Sequence, residues 1–257
     1  MGPRTDRVYR VTNTLGRTML RALRVDVRVH GLERLPTDGP VVLASTHNSF
    51  LDFVMLEHAG AQRGRFVRFL ARHDVWNKRM VAWAMTGMGH VPVDRAAPAG
   101  AYLHARRLLR EGEAIGVFPE AGISHSFQVR ALMPGAVALA RETGAPLVPV
   151  AMWGAQRIST AGDPTTRPDL TRGRTVDISF GAPLTVPADV VAGTRTLGAA
   201  LQDLLDPLQA MRHHQPEVGV TARWHPAHLG GHAPTPERAA ELGQLPRTAV
   251  DWRASSG

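Results

Sequence analysis

Within the stretch Thr46-His47-Asn48-Ser49-Phe50-Leu51-Asp52, two residue types could handle a proton. On a regular helix His47 and Asp52, five residues apart, point about 140° away from each other and could not share one. At a junction between a strand and a helix they can converge, with His47 on the loop and Asp52 in the first helical turn. The carboxylate would then fix the imidazole tautomer and stabilise its charged form, which is the outline of a general base with its orienting partner. A structural reading of the same letters stands beside this one. Asn48 or Ser49 makes a good N-cap, and Asp52 suits the positive end of a helix.

The surrounding elements decide whether such a junction exists. The apolar run 40–45 reads as a buried strand, and the segment that His47 and Asp52 open reads as a helix reaching about residue 59. Further strands are expected at 25–29, 65–71, 114–118, 145–152 and 175–180, and helices at 8–25, 102–110, 134–142 and 197–211. Buried strands alternating with helical stretches predict an α/β fold, a mostly parallel or mixed sheet flanked by helices, with its site at one edge of the strands. Residues 1–30 read as a basic amphipathic N-terminal helix, 31–212 as the α/β domain and 213–257 as a Pro/Gly/His-rich tail.

Thirty Lys plus Arg against 22 Asp plus Glu gives a net charge of +8, nearly all of it from Arg. A partner carrying phosphate, or an anionic surface, fits that balance. There is no Cys, which excludes disulfide frameworks, Cys-ligated zinc and thiol catalysis. No run of about 18 apolar residues occurs and the N-terminus lacks a secretory h-region, so the expectation is a chain neither exported nor membrane-spanning. No helix-turn-helix or aromatic RNA-binding signature is present, so nucleic acid is not expected as a partner.

Helix 8–25 places Val8, Val11, Leu15 and Met19 along one side and Arg10, Arg17, Arg21 and Arg24 opposite. It could lie at a lipid interface or dock on its own domain. Segment 75–88, with Trp76, Met80, Val81, Trp83, Met85 and Met88, has scarcely any polar face and is read first as core, otherwise as a segment inserted into something greasy. Arg95 follows a short strand signal and Glu120 follows the strand at 114–118, both where loops of an α/β sheet build sites. His225, His228 and His232 have ligand-like spacing, but Pro226, Gly230 and Gly231 argue against their convergence on a metal. A serine hydrolase built on Ser124 or Ser126 would lack the closing glycine of a nucleophile elbow.

Four blocks in this order resemble the glycerolipid acyltransferases, the family of 1-acylglycerol-3-phosphate acyltransferases. His47-x4-Asp52 matches the first family motif, residues 87–95 resemble the second, Phe118-Pro119-Glu120 opens the third and Val148-Pro149-Val150 matches the fourth. The resemblance implies that His47 is the general base and Asp52 orients it, while Arg95, Glu120 and Gly122 help hold the acceptor. It implies transfer of a fatty acyl group from acyl-CoA or acyl carrier protein to a lysophospholipid, with no cofactor beyond that co-substrate and no catalytic metal. It also implies peripheral contact, through the N-terminal helix, with the cytoplasmic face of the cell membrane. The third motif departs from the family's usual Glu-Gly-Thr-Arg-Ser: here Ala121, Gly122, Ile123 and Ser124 follow Glu120, so the Arg is absent. The Lys common before the downstream Gly-Ala is missing at Met133-Pro134. Arg130 is the candidate to compensate.

Overall fold

The computed structural model describes residues 3–94, 96–161, 168–243 and 245–254. Seven strands form one sheet, β1 (Asp26–His30), β2 (Val41–Ser45), β3 (Val67–Arg72), β4 (Val91–Val93), β5 (Ala114–Val117), β6 (Leu147–Trp153) and β7 (Thr175–Phe180), in the order β1-β7-β6-β2-β5-β3-β4. All neighbours run parallel except β6 and β7, so the sheet is mixed, as the alternation of elements led one to expect. β2 sits between β5 and β6 with every residue buried. Its side chains alternate in direction: Val42 and Ala44 enter one core, Val41 and Leu43 the other.

The first core is roofed by α4 (Ala99–Arg110), α5 (Gly135–Thr143) and α6 (Val190–Ala210), through residues such as Leu108, Leu139 and Leu201. The second takes Leu20 of α1 (Pro3–Ala22) and Met55 and Leu56 of α2 (Asp52–Gln62). Each large aliphatic side chain so buried contributes roughly 1.5–3 kcal/mol. α5 stops at Gly144, whose φ of +69° is the left-handed cap that glycine adopts without a Cβ clash.

Three of these segments gain a definite place here, and one of them, 75–88, departs from its expectation. Residues 26–30 are an edge strand of the sheet, so the α/β body begins inside the segment assigned to the N-terminal helix. The greasy segment 75–88 is not core. In α3 (Arg79–Gly87) only Met85 is buried, while Met80 is 77% and Trp83 53% exposed. Periodicity reports that a segment is apolar but not what covers it. The tail, in turn, folds back on the body: Leu132 and Val250 form an antiparallel bridge, Trp252 Nε1 donates to the Val129 carbonyl, and α7 (Pro236–Leu242) is capped by Thr235. Gly198 admits the Trp252 ring, which a Cβ there would meet at 2.3 Å.

α1 docks by a face the apolar pattern did not mark. Tyr9 and Leu20 are buried, and Gly16 brings the helix within 3.4 Å of Val54 when a Cβ is placed on it. At about 100° per residue, this face lies between the Val11-Leu15-Met19 stripe and the arginines. Val11, Leu15 and Met19 therefore remain exposed, as do Arg10, Arg17 and Arg21. α3 packs beside α1, where Gly87 gives room to Val8 that any Cβ would fill at 2.4 Å. Among the described residues, no helix is long and apolar enough to cross a membrane.

Candidate active site

His47 follows the carboxyl end of β2, and Asp52 is the first residue of α2. The carboxylate turns back over the loop rather than along the helix. Its Oδ2 accepts from the Asn48 and Ser49 backbone N–H groups at 2.7 and 2.8 Å and lies 3.0 Å from His47 Nδ1. Two N–H donors already converge on that oxygen, so it acts as an acceptor and Nδ1 carries the imidazole proton. Nε2 keeps its lone pair and has no protein partner among the described residues; the His47 side chain is 21% exposed, Asp52 1%. The N-cap reading is thereby replaced. Leu51 occupies the cap position with no side-chain bond, and Ser49 Oγ serves the loop, accepting from Leu51 N–H and donating to the Ser159 carbonyl.

Three adjacent parallel strands hold this loop. From β6, the Met152 carbonyl accepts from Asn48 Nδ2, and the Ala155 and Ser159 carbonyls following the strand face Ser49 Oγ. From β5, Phe118 lays its ring against the His47 imidazole, with centroids 4.3 Å apart and planes 21° from parallel. Neither contact is legible in the sequence, where Asn48 reads only as an N-cap and Phe118 only as the opening of the third motif. The fourth motif, Val148-Pro149-Val150, is buried strand within β6 and supports the loop from beneath.

Glu120 does not face outward toward a ligand. Its carboxylate is buried, accepting from His47 N–H at 2.8 Å and from Arg130 N–H at 3.3 Å. Burial pushes its pKa up to about 7, against the lowering effect of those two N–H donors. It ties the third-motif loop to the first, and Ser124 N–H adds a second tie to the His47 carbonyl at 2.9 Å. Arg130 curls onto the same loop, its Nε and Nη2 donating to the Glu120 carbonyl at 2.9 and 2.6 Å. Gly122 leaves space for that guanidinium, since a Cβ would meet Arg130 Nη2 at 2.8 Å. Where the family's glycine stands, Ala121 holds a left-handed φ of 56°, a conformation that costs an alanine roughly 1–2 kcal/mol.

Arg95 lies outside the described residues. Ser124 Oγ donates to the Gln128 carbonyl at 2.6 Å and is buried, an arrangement that gives a serine nucleophile no base. His225, His228 and His232 do not form a metal-ligating group among the described residues. Beside the site, a cavity of about 390 Å³ opens between α1 and α2, lined by Leu15, Gly16, Leu20, Leu51, Phe53 and Val54 among others. Its wall is almost wholly apolar, and it begins one residue from Asp52.

The sequence profile of the Acyltransferase family matches residues 26–153, the span that carries His47, Asp52, Phe118, Glu120 and Arg130. Over 137 residues the chain is 32% identical to a 1-acyl-sn-glycerol-3-phosphate acyltransferase of Bacillus subtilis, covering 53% of this chain and 67% of that one. The chain belongs to the glycerolipid acyltransferase family. Other members include the chloroplastic 1-acyl-sn-glycerol-3-phosphate acyltransferase LPAT1 of Arabidopsis thaliana, 31% identical over 140 residues, 53% of this chain. The match spans only 38% of LPAT1, so much of that relative has no counterpart in the alignment. This acyltransferase-family fold also resembles the crystal structure of the 1-acyl-sn-glycerophosphate acyltransferase PlsC from Thermotoga maritima. There the TM-score is 0.66 at 21% identity, covering 80% of this chain and 82% of that one.

Proposed function

We propose that the chain transfers a fatty acyl group from a thioester, acyl-CoA or acyl carrier protein, to the hydroxyl of a lysophospholipid, foremost 1-acylglycerol-3-phosphate. The observation that carries this reading is the His47–Asp52 contact at the sheet edge, which leaves Nε2 open as a base. A thioester is already activated, so the enzyme needs no nucleophile of its own. As the acceptor hydroxyl attacks the carbonyl carbon, its proton passes to Nε2. The C–S bond then breaks, and the departing thiolate recovers that proton from the imidazolium. Asp52 stabilises the charged ring between the two steps. Proton transfer by His47 contributes on the order of 100- to 10,000-fold. Arg95 binds the acceptor phosphate in this reading, while Glu120 and Arg130 hold the loop that frames it.

Membrane contact belongs to the same proposal. The exposed stripe Val11-Leu15-Met19 and the exposed Met80, Val81 and Trp83 of the adjoining α3 give a helix pair apolar surface with arginines beside it. That pattern suits a peripheral position on the cytoplasmic face of a membrane, where Trp and Arg sit at headgroup level. The test follows thiol release and lipid product from acyl-CoA or acyl carrier protein donors with a panel of lysolipids. His47→Ala should lose at least about 100-fold in turnover while keeping its fold; full activity in that variant sinks the base assignment. The double variant Leu15→Asp/Trp83→Asp should fail to sediment with anionic vesicles yet acylate a soluble short-chain acceptor. Unchanged sedimentation would remove this surface from the membrane reading.

A further inference from the structure

Away from the acyl-transfer loop, three imidazoles meet on one buried carboxylate. Asp177, in the middle of β7, is fully buried. Its Oδ2 lies 2.7 Å from His213 Nε2 and 2.9 Å from His214 Nε2, both on the 3₁₀ turn Arg212–His214 that follows α6. Its Oδ1 lies 2.8 Å from Nε2 of His30, the last residue of β1. His214 is itself fully buried, and among the described residues its Nδ1 has no hydrogen-bond partner, so this ring's hydrogen bonding there is at the cluster. Gly154, at φ +112°, keeps room for it: a Cβ there would stand 3.0 Å from His214 Cε1.

We infer that Asp177, His213 and His214 form a binding site for a divalent transition metal of the zinc class, which clips the segment after α6 to the β1–β7 edge of the sheet. One carboxylate oxygen and two imidazole nitrogens are the donor set such ions take, and the three ligand atoms lie within 4.8 Å of one another. Tetrahedral zinc with bonds of about 2.0–2.2 Å holds its ligand atoms about 3.3 Å apart. The present spacings of 2.7 and 2.9 Å would therefore open by roughly half an ångström, by rotation of the part-exposed His213 ring and a small shift of the buried His214 ring. His213 is one-third exposed, so the open side of the site lies toward solvent, where water completes the coordination. His30 on Oδ1 is then the outer partner that orients the ligating carboxylate, a contact that metal sites commonly carry. Arg157 is near enough for its charge to act on His214, but its guanidinium lies over the Trp224 ring, 5.0 Å from the centroid.

The decisive pair of measurements uses the full chain without an affinity tag, stripped with chelator. Titration calorimetry with Zn²⁺, and the visible bands of Co²⁺, which intensify when four ligands replace six, should report one ion per chain. Zn²⁺ should also raise the melting temperature by mass action. His213→Gln keeps an amide N–H for Asp177 but removes a ligand. It should melt with the wild type in the absence of metal and bind Zn²⁺ more weakly by more than the roughly 10- to 100-fold expected for His30→Gln, which disturbs only the outer partner. No stoichiometric uptake by the stripped wild type would overturn the site. So would uptake that His213→Gln leaves unchanged, since the ion would then be held elsewhere, for instance at the histidines of segment 225–232.

Discussion

Two of the places where this chain sets imidazole against carboxylate, at Asp52 and at Asp177, are built in opposite senses. At Asp52 the carboxylate divides one oxygen between two backbone N–H groups and a single ring, which it touches through Nδ1. The far nitrogen is left facing outward. At Asp177 all three rings turn Nε2 inward, and among the described residues no backbone N–H shares the carboxylate. The first arrangement fixes one tautomer and leaves the other ring nitrogen open; in the second, Nε2–H groups donate to one carboxylate, so a cation that displaced two of those protons would find two nitrogens and an oxygen already gathered. Residue type alone does not make a base or a ligand. What decides is which ring nitrogen the carboxylate occupies, and the backbone around it settles that.

The largest expected effect separates the two clusters directly. Asp52→Asn should lower turnover by about 100-fold or more, because an amide no longer enforces the Nδ1–H tautomer, whereas His213→Gln should leave turnover with saturating substrates unchanged. Steady-state rates on both purified variants check this. A His213→Gln loss as deep as that of Asp52→Asn would merge the two clusters into one functional unit and end the contrast.

A third carboxylate sharpens it with a smaller effect. Burial alone would raise Asp177, but hydrogen bonds from His214, His30 and His213 outweigh it and hold the group well below the usual carboxylate range. Glu120 has no imidazole on its carboxylate, and burial wins, lifting it to about 7. A carboxyl group raised in the folded state binds its proton more tightly there than in the unfolded chain. Its stabilising share is complete below about 4.5 and is lost as pH rises through about 7, with a slope of at most about 1.4 kcal/mol per pH unit. Glu120→Gln should flatten the fall in stability between those values, as read from urea midpoints across pH; an unaltered profile would assign the slope to other groups.

How much of this could be read from the letters follows from how local each feature is. His47 and Asp52 sit in one seven-residue stretch after a wholly apolar strand, so both the pair and the junction were legible, and the strand pattern carried the α/β class with it. The Asp177 cluster draws on positions 30, 177 and 213–214, joined only when β1 pairs with β7 and α6 returns the chain to that edge. No spacing rule reaches across such distances, and the histidines that did show ligand-like spacing, 225 to 232, are not gathered. Glu120 was visible as a carboxylate after a core strand, but its inward direction depends on Arg130 N–H and His47 N–H, donors from two other segments. The exposure of Trp83 and Met80 was hidden for the converse reason: an apolar run looks the same whether or not the rest of the chain covers it.

α1 is pinned by one flank, leaving its apolar stripe turned aside from the body and the rim of the neighbouring cavity shared by Leu15, Met19 and Phe53. A protein lying on a bilayer by that stripe would bring the cavity mouth level with the lipid tails. Anything with a hydrocarbon tail in that monolayer would then meet the cavity by sideways diffusion, so that the hydrocarbon never has to cross water.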